Sequence, residues 1–234
     1  MVEGHESRVR AMFDAIAGDY DRLNRSLSFG QDLLWRLAAA RRARLEDGEI
    51  ALDIGTGTGD LAFTLLRMSA PSSRVVGLDV SASMLDLAVW KASRAGLSER
   101  FSVIQGTALD VPAPDRSFDR VVSAFTLRNV ADLSRTFAEM RRVLRYGGRA
   151  VLLELSRPRT GPFARVYRAY FYSMLPRLAT LLGGDPAAYT YLPDSLTPFP
   201  DVDALAALLQ DAGFREVRYT RLTFGVATIH ECAR

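Results

Sequence analysis

From residue 50 onward, short apolar runs alternate with amphipathic stretches. "IALDI" (50–54) reads as a buried strand, and "TGDLAFTLLRM" opens a helix directly off a glycine-rich turn. "RVVGLDV" (74–80) reads as a second strand. "SASMLDLAVWKASRAG" (81–96) follows as a helix, with Ser81 placed to cap its start and Gly96 to stop it. "RFSVIQG", "FDRVVSAF" and "RAVLLELS" read as further strands, with a helix over "DLSRTFAEMRRVLRYGG" between the last two. This alternation predicts an α/β fold with a mostly parallel sheet covered on both faces. After a helix over "DVDALAALLQDAG", the stretches "FREVRYTRLTFG" and "VATIHECAR" predict a terminal antiparallel hairpin.

Two regions depart from this rhythm. Residues 5–45 read as a helical cap, with Phe13, Ile16 and Tyr20 on one side at helical spacing and a break at "NRSLSFG". Residues 157–200 form an insertion, expected as a helical lid on a single domain spanning 1–234. Its basic residues are Arg157, Arg159, Arg165, Arg168 and Arg177, with no acid before Asp185. Its aromatics before Asp185 are Phe163, Tyr167, Tyr170, Phe171 and Tyr172.

Composition adds limits. The 48% apolar and 24% charged fractions are those of an ordinary globular chain. Lys91 is the single lysine among 30 basic residues, and 27 acidic residues leave a net charge of +3. No nucleic-acid partner is expected from that balance, which is compatible with anionic membrane surfaces. One cysteine, Cys232, excludes an internal disulfide. The charged N-terminus lacks the apolar core of a signal peptide, and no apolar run reaches the ~18 residues of a membrane span. A cytoplasmic protein is the expectation. No Cys/His/acid set has ligand spacing, so no catalytic metal is expected.

The candidate chemistry begins at "ALDIGTGTGD" (51–60). The dinucleotide fingerprint G-x-G-x-x-G is not met, because Asp60 stands where the third glycine belongs. An acid at that helix start opposes a pyrophosphate. S-adenosylmethionine has no phosphate and carries a sulfonium and an ammonium, so carboxylates at Asp53 or Asp60 favour it. Gly55 and Gly57 let the backbone approach such a ligand. Asp79, ending the second strand, is placed to accept from both ribose hydroxyls, or else to cap the next helix.

Longer blocks carry a resemblance. "VRAMFDAIAGDYDRLNRSLSFGQDLLWR" (9–36), "LDIGTGTGD", "LRNV" (127–130) and "LELSRP" (153–158) resemble the ubiquinone/menaquinone biosynthesis C-methyltransferases. "YTYLPDSLTPFP" (189–200) and "LTFGVATIH" (222–230) continue the match in order over nearly the whole chain. The resemblance implies a class I S-adenosylmethionine-dependent methyltransferase fold, Rossmann-like. It also implies methylation of a ring carbon of a polyprenyl quinol. By position it assigns Thr58, Asp79, Thr107 and Ala108 to the cofactor site. Thr107 replaces the family's Asn, Thr126 its Gly and Tyr146 its Pro; Thr126 is expected to narrow the acceptor pocket.

The implied chemistry needs a reduced ring. A quinol that loses a phenolic proton pushes electron density onto the ortho carbon, but the unperturbed phenol pKa is about 10. A guanidinium beside that oxygen favours the phenolate. Arg128, next to Asn129 after the fourth strand, is the first choice. Tyr20 either orients ring or cofactor or packs the cap. Arg36 either pairs with the methionine carboxylate as a fork or solvates a helix face, and His230 is either a base or structural. The aromatic insertion either covers the site and the prenyl tail, with arginines on anionic headgroups, or is a plain amphipathic helix. The expected reaction is demethylmenaquinol to menaquinol. A benzoquinol acceptor in the ubiquinone pathway, an RNA or soluble-metabolite methyltransferase, and a non-catalytic cofactor-binding or scaffold protein stand as alternatives.

Overall fold

The computed structural model describes residues 2–158, 161–175, 178 and 195–234. Arg159, Arg177 and most of the stretch 176–194 lie outside the described residues.

The seven strands are β1 (Ile50–Ile54), β2 (Arg74–Asp79), β3 (Phe101–Gln105), β4 (Phe118–Ala124), β5 (Leu144–Leu155), β6 (Arg215–Leu222) and β7 (Ala227–Ala233). They form one sheet in the order β3-β2-β1-β4-β5-β7-β6. The first five pair in parallel, and β7 pairs antiparallel with both β5 and β6. The terminal hairpin is therefore as expected. Alternate residues of the inner strands enter opposite cores: Leu52, Val121 and Leu152 lie in one cluster, and Ala51, Val122 and Val151 in the other. Burial on both faces accounts for their continuous apolar runs.

Helices α4 (Asp60–Met68), α5 (Ala82–Arg94) and α6 (Leu133–Val143) link the parallel strands. Ser81 caps α5 by accepting from the Met84 amide at 3.1 Å, and Gly96 follows the helix in a left-handed conformation, as expected. Helix α6 stops five residues earlier than its periodicity suggests. Leu144 is fully buried and pairs with Phe118, and Arg145 takes the Asp119 carboxylate at 2.7 and 2.8 Å. Those tertiary contacts draw "LRYGG" into β5.

The cap holds three helices: α1 (Val2–Ile16), α2 (Tyr20–Leu27) and α3 (Gln31–Arg42). A turn at Ala17–Gly18–Asp19 adds a break that the apolar spacing hides. Of the insertion, Pro162–Ala169 forms α7, which continues as a wider π-helical turn over Tyr170–Met174. Helix α8 (Val202–Asp211) precedes the hairpin, capped by Asp201.

Parallel order reverses between β1 and β4. The crevice beyond the carboxyl ends of these two strands is where open α/β sheets take ligands.

Candidate active site

Two cavities meet at that crevice. The narrower, about 80 Å³, lies between the glycine turn after β1, the ends of β2 to β4, and the cap residues Val9, Phe13 and Tyr20. The larger, about 300 Å³, lies between the cap, the end of β4 and α7. Tyr20 and Phe125 line both, so these two rings form the partition.

The narrow cavity is built on backbone. Gly55, Gly57 and Gly59 all have positive φ, at 68°, 52° and 87°. A Cβ on Gly55 would fall 2.2 Å from the Thr126 side chain, whereas one on Gly57 would meet nothing within 4 Å. Thr126 thus fills the space that Gly55 leaves, and it narrows this cavity; it does not line the larger one. Asp79 accepts from the Gly57 amide at 2.8 Å and the Ser81 amide at 3.0 Å. Burial raises its pKa, with those backbone donors opposing. Thr107, Ala108 and Asn129 also line this space.

Asp60 has another task. Its carboxylate binds the Lys91 ammonium and Arg25, at 3.4 Å for the latter. Burial works to raise its pKa, and Lys91 overrides that, so the pKa falls. Asp60 is thus compensated within the chain. Lys91 also reaches Asp21 of α2 at 2.7 Å and the Thr58 hydroxyl at 3.0 Å, and Thr58 donates to Asp21 at 2.7 Å. The Thr58 side chain therefore belongs to this latch between cap and sheet and does not line the cavity. Asp14 of α1 adds a second tie, accepting from Ser81 at 2.5 Å. Asp53 is buried, accepts from Thr56 at 2.8 Å, and is pushed up to about 7 by burial.

The larger cavity is polar at the partition and apolar beyond it. Arg128, Arg36, Asp32 and Asn24 line it near Tyr20. Arg36 donates to Asp32 at 2.8 Å, and its guanidinium sits 5.0 Å over the Phe125 ring. Arg128 donates to the Phe125 carbonyl at 2.8 Å and lies 3.4 Å from Glu154, whose other oxygen accepts from the Leu127 amide at 2.6 Å. Burial raises the Glu154 pKa, against Arg128 and the amides. The Arg128 Nε is buried with no hydrogen-bond partner among the described residues. Burial also raises the Tyr20 pKa, while Arg36 and Arg128 work against it. The apolar end holds Leu27, Trp35, Phe163, Val166, Tyr167 and Phe171.

His230 does not join this group. It is buried on β7, its Nε2 3.0 Å from the Val202 carbonyl, and neither cavity includes it. Phe125, Asp32 and Glu154 are the residues that sequence reasoning missed. Of these, Glu154 lay in view within "LELSRP", and only its burial shows its use.

Sheet order, the glycine turn at the switch point and the acid ending β2 define a class I methyltransferase fold. In agreement, the structure matches a solved S-adenosylmethionine-dependent methyltransferase from Thermotoga maritima, described as a possible histamine N-methyltransferase. The TM-score is 0.68 at 20% identity, covering 95% of this chain and 98% of that one. The chain belongs to the ubiE/COQ5 methyltransferase family, whose model matches residues 1–234. It is 49% identical over 219 residues to a demethylmenaquinone methyltransferase of Deinococcus radiodurans, covering 94% of this chain and 89% of that protein. It is 43% identical over 223 residues to a ubiquinone/menaquinone biosynthesis C-methyltransferase of Geobacter sulfurreducens, covering 95% and 87%. S-adenosylmethionine is accordingly the methyl donor. The residues present suit it: an acid at the β2 end, and Gly57, where added bulk meets open space.

Proposed function

We propose that the protein methylates a ring carbon of demethylmenaquinol to give menaquinol, the whole chain acting as one methyltransferase unit. The observation that carries this reading is the junction of the two cavities at Tyr20 and Phe125. One side offers glycine backbone and Asp79; the other offers a guanidinium and then an apolar chamber suited to a prenylated ring.

When bound, S-adenosylmethionine supplies an electrophilic methyl group. Asp79, Thr107 and Ala108, with the backbone at Gly55 and Gly57, hold the donor on the narrow side. Thr58 and Asp53 support that loop from behind: Thr58 through its bond to Asp21, and Asp53 through Thr56. The narrow cavity is smaller than the roughly 300–1,000 Å³ of ligand sites in general.

Arg128 holds the developing phenolate of the acceptor. Its buried Nε has no acceptor among the described residues, and the low dielectric there strengthens the charge–charge attraction. Glu154 fixes its guanidinium. Asn129 and the neutral Tyr20 phenol orient the ring against the donor, within the ~3–3.5 Å that in-line transfer needs. Arg36, already paired with Asp32 and stacked on Phe125, shapes the partition. His230 takes no part, being hydrogen-bonded to the α8 start.

The acceptor's tail ties the protein to a bilayer, so we infer peripheral contact with the cytoplasmic face of a membrane. No helix among the described residues is long and apolar enough to cross one. The test is to supply demethylmenaquinol and a prenylated benzoquinol separately and analyse the products by mass. Methylation of the naphthoquinol is expected. Methylation of the benzoquinol alone would move the protein to the ubiquinone pathway.

A further inference from the structure

We propose that the mouth of the larger cavity is a bilayer-docking rim, with Phe29 and Phe224 as its inserting tips. The proposal rests on the polyprenyl quinol reading and names the surface through which that acceptor arrives. Phe29 closes the turn between α2 and α3, and Phe224 closes the turn between β6 and β7. They are 76% and 81% exposed, the two most exposed large apolar side chains among the described residues. Both have left-handed backbone, φ 52° and 56°, a conformation that bulky residues rarely adopt. Both turns are hydrogen-bonded, the Phe29 turn by the Gly30 amide to the Arg25 carbonyl at 2.8 Å. Thr223 is tethered at 2.8 Å to the Trp35 indole and at 3.2 Å to Gln31, which fixes the base of the Phe224 turn on α3.

The tips flank one opening. Phe224 packs 4.9 Å from Phe163 of α7, and Phe29 packs 5.8 Å from Tyr170. Phe29, Phe163 and Val166 all line the cavity and are all exposed, so the apolar surface runs unbroken from rim to chamber. Three chain segments distant in sequence converge there. The occupant follows from charge. Residues 155–184 contain no acid, Arg165 and Arg168 are exposed on α7, and Arg157 is exposed just after β5, donating to the Thr197 and Phe199 carbonyls. An apolar ring bordered by guanidinium groups suits an anionic lipid surface, with aromatics at acyl depth and cations at the headgroups.

The experiment is flotation of the full chain with vesicles of phosphatidylcholine alone or with phosphatidylglycerol added. Phe224→Gly is compared with the wild type, because glycine accepts this φ without strain and the fold is retained. A thermal melt on the same samples verifies that. The wild type is expected to float with the anionic vesicles, and Phe224→Gly to bind about tenfold more weakly, the scale of one interfacial aromatic. Equal flotation of the two proteins would overturn the rim. So would a wild type that ignores vesicles but self-associates through this face, with Phe224→Gly monomeric. Turnover on a short-chain demethylmenaquinol in detergent separates the two readings. Turnover without flotation removes the rim and keeps the substrate, and flotation without turnover does the reverse.

Discussion

Replacing Arg128 by Ala tests site and fold together. The Arg128 side chain is 8% exposed and its partner Glu154 is 2% exposed. Removing the guanidinium leaves a buried carboxylate held by the Leu127 and Leu155 amides, and breaking such a pair costs about 3–5 kcal/mol. The 3.4 Å separation puts the expected loss at the lower end, about 3 kcal/mol. The loss should depend on pH. The folded pKa of Glu154 is already raised above its ordinary 4.5 by burial, and losing Arg128 raises it further. The folded state then binds the proton more tightly, so the Glu154 contribution is fully present below about 4.5 and is lost as pH rises through the folded value. The variant should therefore show a steeper alkaline decline in urea denaturation than the wild type. Adding Glu154→Gln removes the charge and keeps an oxygen for the Leu127 amide. The double variant should recover at least half of the lost stability. Turnover should not recover: both variants should remain about 10²–10³-fold slow, the scale of losing one oxyanion donor, with S-adenosylhomocysteine affinity little changed. If turnover returned together with stability in the double variant, Arg128 would be a structural residue and its place in the chemistry would be lost.

Other substitutions read separate parts of the site. Asp79→Asn should weaken S-adenosylhomocysteine about tenfold or more by calorimetry, as expected for losing charge-assisted hydrogen bonds; unchanged affinity would remove the ribose contact. Lys91→Met removes the cation shared by Asp21 and Asp60, leaving only the 3.4 Å Arg25 contact to Asp60, so amide exchange in α2 should quicken by about tenfold, roughly 1.4 kcal/mol. Unaltered protection would show that the latch does not hold the cap. His230 has its pKa lowered below 6.5 by burial, so the unfolded chain binds the proton first on acidification. Stability should fall as pH drops through 6.5, and His230→Gln should flatten that slope in urea titrations; an unchanged slope would place the acid sensitivity elsewhere.

Most strands and helices were legible because the inner strands are short apolar runs, helical apolar positions repeat at about 3.6, and Ser81 and Gly96 bound one helix. The misses share a physical origin. "LRYGG" is helical by local pattern but is drawn into β5 by the Leu144 and Arg145 contacts. Phe125 sits at φ 61°, a conformation that no aromatic residue advertises. The glycine turn and Asp79 were found at the cavity because backbone geometry there depends on neighbours in the chain. The side-chain partners of Asp60 and Thr58, Asp21 and Lys91, were not legible because they lie 31 or more residues away. Glu154 is an ordinary strand acid in the sequence, and only the packing of β5 against the turn after β4 turns it toward Arg128.

The most direct measurement is transfer of a labelled methyl group from S-adenosylmethionine to demethylmenaquinone, run anaerobically with and without a reductant. Label should enter the ring only under reducing conditions, because the oxidised ring has no electron-rich carbon and Arg128 no phenolate to hold. Equal labelling of the oxidised quinone would contradict the quinol mechanism. Absence of label in both conditions, with a benzoquinol also unlabelled, would contradict the acceptor altogether.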